Sequence, residues 1–521
     1  MAPSPDSSSP SEAGKRIALR AALVRLVVAG GVVIGAGVLA LLIPPGASVV
    51  IAEADSEESS DVGVSFGRLR PWNPGDPAPL SDLFSGNHEE VPEFAGAGYR
   101  ASGRRLEEKL GAAVAQNLGS ADPLPPAPAD DDGPRVRIDP AEYEGIEVRI
   151  EHPERIQSFF TALEATARRQ GPAVTRISHY GDSSIATDLI THTVRRRLQR
   201  RFGDAGHGFL LIARGTMPYG HRDVSHAASS RWDVRQIVNN ADRDGLYGFG
   251  GVSYRAQVGA YATFGTDDRG PVGGAVSLFQ VYYRQEPNGG EIQLRVDGGE
   301  PRRISTAGEE RDRVEIIRVP DGAHELEIRP AGGGPIRLYG VALERDRAGV
   351  VYDSLGLVGA RARRLLNYNS DHIREQMTQR DPDLLVLGFG GNEADDPIRR
   401  IPRYEGEFRQ VIRRMRGSRD RACLIFGPLD QARRDEYGRI VTIPTVPMII
   451  EAQRAAAAAE GCAFFDTFGA MGGEGSITAW ARSRPRLAMT DYRHATPAGY
   501  EVIGNLFYKA VLEAFARHLN R

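Results

Sequence analysis

Two short segments of the chain carry side chains suited to nucleophilic catalysis. The Gly-Asp-Ser sequence at 181–183 places a serine where an apolar strand, Val174–His179, turns into a helix. A serine there exposes its hydroxyl beside backbone N–H groups that lack helical partners. Asp491 and His494 lie close enough in sequence for one loop to present both. The pattern predicts acyl transfer with Ser183 as nucleophile, His494 as base and Asp491 as the carboxylate that orients the base.

Two further segments offer donors for the oxyanion that acyl transfer creates. Gly356 follows a predicted strand, Val350–Ser354, and Asn392 follows another, Leu384–Leu387. A glycine lets a carbonyl oxygen approach a backbone N–H closely, and an asparagine amide donates to developing negative charge. We therefore predict an oxyanion hole formed by the N–H groups of Ser183 and Gly356 and the side-chain amide of Asn392.

Each assignment has a structural alternative. Ser183 could be only a helix N-cap, and Asn392 could merely cap a turn. Ser184 competes with Ser183 as the nucleophile, and His494 could be an exposed loop histidine. Asp182 is interpreted as a turn-stabilising side chain and not as the acid of the triad, because its place on a tight turn points it away from the base.

The elements around these segments predict a parallel sheet covered by helices on both faces, since short apolar strands alternate with helices. A change to strict alternation with Gly-rich turns over residues 216–344 predicts an inserted antiparallel sandwich. Further strands are predicted at Ile146–Ile150, Cys423–Phe426 and Ala463–Asp466, and helices at Ile156–Arg169, 186–202, Ala360–Arg380, Tyr404–Arg416, Val446–Glu460 and Pro497–His518.

The N-terminal region predicts export. Residues 1–25 are basic, and 26–43 form an uncharged apolar run just long enough to span a bilayer. We favour an uncleaved anchor in the inner membrane, with cleavage of a signal peptide after Ala52-Glu53-Ala54 as the alternative. Residues 44–135, rich in Pro, Gly and acidic residues, are predicted to be a mostly disordered linker. A net charge of -3 does not indicate the basic surface that a nucleic-acid-binding protein requires.

Taken in chain order, the chemical segments resemble the four blocks of the SGNH/GDSL hydrolase superfamily. The resemblance implies a flavodoxin-like three-layer α/β sandwich, split into 136–215 and 345–521, that works without cofactor or metal. Two positions depart from the usual blocks, Ser184 where leucine is common and Glu393 where aspartate is common. The matching residues are 181–183, Gly356, Gly390-x-Asn392-Glu393 and Asp491-x-x-His494 with the following Thr-Pro-Ala-Gly at 496–499.

The position of the insert, before the second block, further resembles bacterial peptidoglycan O-acetylesterases, in which the insert is a jelly roll similar to carbohydrate-binding modules. This resemblance implies an esterase that removes O-acetyl groups from an acetylated cell-wall or envelope polysaccharide on the periplasmic face of the inner membrane. Two alternatives stay open: a glycan O-acetyltransferase with the same triad, and a non-catalytic glycan-binding protein of the envelope.

Three other groups of residues contain side chains that could carry chemistry. Cys423 and Cys462, each in an apolar run, are predicted to be buried free thiols. Four histidines near the nucleophile segment do not repeat a metal-ligand spacing. Aromatic residues of the insert favour core packing over stacking on sugars. The histidines are His179, His192, His207 and His221, and the aromatic residues are Tyr247, Phe249, Tyr282, Tyr283 and Tyr339.

Overall fold

The computed structural model describes residues 134–215, 219–239, 241–417 and 421–521, together with the backbone of two short paired strands, β1 (Ala47–Val49) and β2 (Phe66–Arg68). These two strands belong to a unit spanning 1–93, and all other elements belong to a unit spanning 94–521. The predicted membrane segment 26–43 and most of the predicted linker lie outside the described residues. Within the described residues, no helix has the length and apolar character needed to cross a membrane.

The larger unit alternates strands and helices at both ends and has strands alone in the middle. Its strands are β3 (Val174–Gly181), β4 (Gly208–Leu211), β5 (Ser225–Ala228), β6 (Trp232–Gln236), β7 (Val252–Ala256), β8 (Ala262–Gly265), β9 (Val276–Gln285), β10 (Glu291–Val296), β11 (Arg302–Ser305), β12 (Arg311–Gly322), β13 (Glu325–Gly332), β14 (Arg337–Glu344), β15 (Gly349–Gly356), β16 (Leu384–Gly388), β17 (Ala422–Phe426), β18 (Ala432–Arg434), β19 (Ile440–Thr442) and β20 (Ala463–Phe465). Its helices are α1 (Gln157–Ala167), α2 (Ser183–Ala186), α3 (Leu189–Phe202), α4 (Ser370–Arg380), α5 (Ile401–Arg416), α6 (Thr445–Glu460), α7 (Thr467–Met471), α8 (Ser476–Arg482) and α9 (Pro497–Leu519).

Five parallel strands form the central sheet in the order β15-β3-β16-β17-β20. Their side chains are buried on both faces, as expected for strands rich in Val, Ile and Leu that are covered by helices. The first strand of the sheet, β3, lies between β15 and β16, so the chain reverses direction across the sheet at β3. In such doubly wound sheets, ligands bind at the carboxyl ends of the strands where this reversal occurs.

The helices cover the sheet from opposite sides. One buried cluster joins alternate side chains of the sheet, such as Ile177 and Val386, to α1, α3 and α9. The other joins the intervening side chains, such as Leu385 and Ile425, to α4, α5 and α6. The prediction of a parallel sheet with helices on both faces is therefore confirmed.

Two antiparallel sheets lie between β3 and β15 in the chain. One has the order β11-β10-β13-β8-β5 and the other β12-β9-β14-β7-β6, with β4 paired to β14. Strand β13 shows the alternation that a half-buried strand requires, since Leu326 and Ile328 are buried and Glu325 and Arg329 are exposed. Strand β4 lies in the predicted first hydrolase segment, 136–215, although it pairs within these antiparallel sheets.

The antiparallel sheets are joined to the parallel sheet by a common core and by a buried ion network. Their buried side chains belong to the same apolar cluster as α4, α5 and α6. Arg380 of α4 donates two hydrogen bonds to Asp353 of β15, at 2.9 and 2.6 Å, and another to Glu344 at the end of β14. Although burial disfavours the charged carboxylate, Arg380 and Arg176 hold the pKa of Glu344 at about 2. The network fixes β14 against β15.

The structure corrects the predicted state of the cysteines. Cys423 and Cys462 form a disulfide, with their Cα atoms 4.9 Å apart. Strands β17 and β20 are hydrogen-bonded neighbours in which Leu424 pairs with Ala463, so the two residues that precede this pair lie side by side. Each cysteine was predicted in an apolar run, but the register that brings the runs together is a tertiary feature.

Two predicted elements also differ. Residues 146–150 do not form a strand: the chain makes only one bridge to the edge of the sheet, between Glu151 and Phe464. The predicted helix Ala360–Arg380 is divided into a 3-10 segment, Ala362–Asn367, and α4. The first segment ends at Asn367, and Asn369 caps α4, since its side chain accepts hydrogen bonds from the N–H groups of Asp371 and His372.

Candidate active site

The nucleophile segment forms a sharp turn from β3 into α2. Gly181 ends the strand, and a Cβ there would lie 2.3 Å from the Ile185 side chain and 2.7 Å from the Gly388 carbonyl oxygen, so only glycine fits. Asp182 caps α2, because its side chain accepts hydrogen bonds from the backbone N–H of Ser184 at 3.0 Å and its hydroxyl at 2.9 Å. These contacts give Asp182 the turn-stabilising role predicted for it, and they place Ser183 at the first position of the helix.

Ser183, His494 and Asp491 are connected by hydrogen bonds. The Ser183 Oγ lies 3.2 Å from His494 Nε2, and His494 Nδ1 lies 2.7 Å from Asp491 Oδ2. Donation from Nδ1–H to the carboxylate leaves Nε2 free to accept the serine proton, which is the arrangement that a general base requires. The other Asp491 oxygen accepts hydrogen bonds from the backbone N–H groups of Arg493 and His494, at 2.9 and 3.1 Å, so the carboxylate is held in place within its own loop.

The electrostatics of this loop suit a base. The hydrogen bond that His494 donates to Asp491 raises the pKa of His494 above its ordinary value, although burial works in the opposite direction. Burial disfavours the Asp491 carboxylate, but the hydrogen bonds that it accepts, first from His494, keep its pKa lowered. The imidazolium that forms when His494 takes a proton is therefore stabilised by an ionised carboxylate.

Of the predicted oxyanion donors, the structure brings two to the cleft. Asn392 lines the cleft with Ser183 and uses one amide hydrogen to bind the Ala360 carbonyl oxygen at 2.9 Å, which leaves the second available. The Ser183 N–H is the first of α2 and has no helical partner.

Gly356 does not line the cleft. It pairs with Gly181 in the sheet, and a Cβ there would lie 2.1 Å from the Ala186 nitrogen. The geometry thus gives this glycine a packing role beside α2 and does not support the predicted oxyanion role. The loop that follows β15 approaches the cleft further along, at Ala360, where it meets Asn392.

The cleft holds about 200 Å³ and changes character with depth. Its apolar side chains, Phe389, Phe426, Leu429 and Tyr500, are buried. Its polar side chains include Asp395 and Arg493, which are partly exposed, and Gln431, which is buried. The sequence analysis missed these polar residues, which no motif marks.

Glu393, which stands where the family motif has aspartate, has a definite structural role. Its Oε1 accepts a hydrogen bond from the Ala362 N–H at 2.7 Å, and the side chain is buried. Burial, with the nearby Asp182 carboxylate, raises the pKa of Glu393 to about 8. A neutral glutamic acid thus ties the segment that contains Asn392 to the loop after β15.

The four histidines do not share one site. His179 is buried in β3, where its Nδ1 lies 2.9 Å from the Tyr352 hydroxyl, and His192 lies 3.3 Å from Asp223. His207 and His221 lie beside Asp188, with ligand atoms within 4.8 Å of one another.

The group around Asp188 does not fit a cation. The Asp188 carboxylate already accepts hydrogen bonds from Arg195 at 2.9 and 2.8 Å, from the Thr191 hydroxyl and from the Arg222 N–H. An added cation would compete with the Arg195 guanidinium for the same oxygens. His207 and His221 instead form a hydrogen bond with each other, in which His207 Nε2 lies 2.9 Å from His221 Nδ1.

The aromatic residues considered for sugar stacking belong to the core of the antiparallel sheets. Tyr247, Phe249, Tyr282, Tyr283 and Tyr339 are all buried. Core packing, which the alternating pattern favoured, is therefore the correct interpretation for these five residues.

Comparison with known proteins agrees with this geometry. The GDSL-like Lipase/Acylhydrolase family matches residues 328–502. A solved structure of a peptidoglycan O-acetylesterase aligns with a TM-score of 0.57 and 22% identity, over 69% of this chain and 96% of that one. Residues 328–502 therefore resemble the GDSL/SGNH hydrolases, and the resemblance predicted from the sequence is confirmed.

Other similarities are more distant. A lipase/acylhydrolase from Enterococcus faecalis aligns at 18% identity over 32% of this chain and 77% of its own, with a TM-score of 0.25. A family two carbohydrate esterase from Cellvibrio japonicus aligns at 11% identity over 46% and 87%, with a TM-score of 0.18. No curated protein sequence matches the chain.

Proposed function

We propose that this protein is a serine esterase that hydrolyses O-acetyl esters of a cell-envelope glycan such as peptidoglycan. The observation that carries the proposal is the continuous hydrogen-bonded arrangement of Ser183, His494 and Asp491 at the mouth of a small cleft. Support for an acetylated wall substrate comes from the peptidoglycan O-acetylesterase fold, which spans most of this chain. The jelly-roll interpretation of the inserted sheets is part of the same proposal.

The reaction proceeds by double displacement. His494 takes the proton of Ser183, whose Oγ attacks the ester carbonyl carbon, and the Ser183 N–H and the Asn392 amide donate to the oxyanion. Collapse of the tetrahedral intermediate expels the sugar oxygen, which receives the proton from His494. Water, deprotonated by His494, then attacks the acyl-serine and releases acetate. Asp491 holds the imidazole in the required tautomer throughout.

The cleft favours a small acyl group. Its apolar lining consists of a few buried side chains, Phe389, Phe426 and Leu429, which offer a short apolar surface for an acyl group. A long acyl chain would need a continuous apolar channel, whereas the outer part of this cleft is polar.

The test is hydrolysis of p-nitrophenyl acetate by the full chain and by the Ser183→Ala variant. We expect turnover by the wild type and a loss of kcat/KM of at least about a thousandfold in the variant, since the nucleophile is removed. Ser184→Ala is the matched variant, and it should lose far less activity. Equal activity of the wild type and Ser183→Ala would overturn the assignment, and transfer of acetyl to added glycan would favour the acetyltransferase.

We also propose that the folded part lies outside the cytoplasm, held at the inner membrane by residues 26–43. Two observations support this location: the basic residues that precede the apolar run, and the disulfide between Cys423 and Cys462, a bond that persists in oxidising compartments. In intact spheroplasts, an added protease should digest the protein, and its cysteines should resist alkylation until a reductant is added. A protected protein with free thiols would contradict the proposal.

A further inference from the structure

The polar mouth of the cleft contains an ion pair with a defined geometry. Arg493 Nη1 donates to Asp395 Oδ2 at 2.8 Å, and Nη2 donates to Asp395 Oδ1 at 2.9 Å. A third contact, 3.4 Å long, joins Arg493 Nη1 to the Gln431 amide oxygen. All three side chains line the same cleft as Ser183 and His494.

These side chains come from loops that carry the catalytic groups. Arg493 immediately precedes His494, and Asp395 follows Asn392 in the turn after β16. Gln431 precedes β18, which is tied to the catalytic loop because the Ala432 N–H donates to the Tyr492 carbonyl oxygen at 2.9 Å. The set therefore lies beside the reacting atoms and not on a remote surface.

The ion pair between Arg493 and Asp395 is expected to contribute little to the folding stability of the protein. The Arg493 side chain is 29% exposed and that of Asp395 is 54% exposed. Exposed ion pairs contribute little to folding, because solvent screens their attraction and ordering two side chains costs entropy. The bidentate arrangement holds both side chains in a fixed geometry, however, so the pair presents a defined polar surface to a ligand that binds in the cleft.

The hydrogen-bonding capacity of this surface suits an uncharged polyol. The carboxylate neutralises the guanidinium, so the pair offers no net charge to attract an anion. Arg493 keeps N–H groups that point to neither Asp395 nor Gln431, and the Asp395 oxygens keep unused lone pairs. Sugar hydroxyls both donate and accept, so they complement a surface that offers both functions side by side.

We propose that Asp395, Gln431 and Arg493 form the subsite that binds the sugar on the alcohol side of the ester. The buried apolar floor takes the acyl group, and this polar mouth takes the neighbouring hydroxyls of the glycan. The inference rests on the proposed esterase function and adds to it the residues that select the leaving group, as well as the preference for an uncharged sugar.

The experiment compares substrates with the same acyl group and different alcohols. kcat/KM is measured with the full chain on p-nitrophenyl acetate, on O-acetylated peptidoglycan, on acetylated xylooligosaccharides and on acetylated polyuronate. The variants are Arg493→Met and Gln431→Ala, and the matched control is Arg433→Met, an exposed arginine on β18 outside the cleft.

For Arg493→Met we expect the ratio of kcat/KM on acetylated neutral glycan to kcat/KM on p-nitrophenyl acetate to fall at least about tenfold, mainly through KM, as loss of hydrogen bonds to a charged group implies. Gln431→Ala should reduce the ratio less, and Arg433→Met should leave it unchanged.

Three results would overturn the subsite. A parallel loss on all substrates would show that Arg493 only positions the His494 loop. An unchanged ratio would show that the pair does not contact the sugar, and a loss confined to polyuronate would show anion recognition. Failure of the esterase proposal itself is distinguishable, because it would appear as wild-type activity on p-nitrophenyl acetate that survives Ser183→Ala.

Discussion

Replacement of Glu393 by glutamine tests whether this side chain is neutral in the folded protein. The quantity measured is the pH dependence of the free energy of unfolding. The folded protein keeps the Glu393 proton up to about pH 8, because burial and the Asp182 carboxylate disfavour the ionised form. The unfolded chain releases that proton near the ordinary glutamate pKa of 4.5. Between these values the folded state binds more protons than the unfolded state, so the free energy of unfolding falls as pH rises.

The expected magnitude follows from proton linkage. The Glu393 contribution decreases by about 1.4 kcal/mol per pH unit within this window, or by about 4 kcal/mol between about pH 5 and pH 8. Glutamine keeps the oxygen that accepts from the Ala362 N–H and does not titrate. Relative to wild type, Glu393→Gln should therefore gain stability as pH rises.

The assay is urea unfolding of the full chain at a series of pH values, followed by the fluorescence of buried tryptophans such as Trp480. Glu436→Gln, at an exposed position on the β18–β19 hairpin, supplies the baseline for loss of one carboxylate. If the difference between wild type and Glu393→Gln does not change across this window, Glu393 is not held neutral and the description of this side chain is refuted.

Three other predictions concern the loop, the insert and the disulfide. Asp491→Asn should lower kcat/KM on p-nitrophenyl acetate by at least about a hundredfold. In the pH profile of kcat/KM, the midpoint of the rise with pH should move to lower pH in this variant, because the hydrogen bond that raises the pKa of His494 is lost. A pH-rate profile that keeps its midpoint would contradict this cause. Deletion of 216–344 should abolish folding as well as glycan binding, since the insert shares a core with α4, α5 and α6; retained esterase activity after deletion would show a separable module. Cys462→Ala should lower the free energy of unfolding by about 2–4 kcal/mol, measured by urea unfolding, with reduced wild type giving the same loss.

The proximity of the three predicted triad residues and the parallel sheet could both be predicted from the sequence, because both depend on local patterns. Ser183, Asp491 and His494 belong to short segments at strand ends or in one loop, and a parallel sheet brings such ends together. The apolar runs of β16 and β17 are unambiguous in the same way, since strands buried on both faces contain few polar residues.

What the sequence analysis missed depends on contacts between distant segments. The pairing of Cys423 with Cys462 requires the register of β17 against β20, and the packing role of Gly356 requires the position of α2 against β15. The apolar alternation at 146–150 is genuine, but an edge position gave it a single bridge and no ladder. Arg493 and Asp395 come from two loops whose proximity no local pattern encodes.

The position of β3 in the sheet has a consequence for how the protein is made. Both of its neighbours, β15 and β16, follow the insert in the chain, so β3 has no partner until residues 349–388 have been synthesised. At typical elongation rates that interval lasts about 10 to 40 seconds. During this time the strand that leads to Ser183, whose Ile177 and Tyr180 are buried in the folded protein, has no neighbouring strand in the sheet. The candidate site, which also needs Asp491 and His494, can therefore form only after residue 494 has been synthesised.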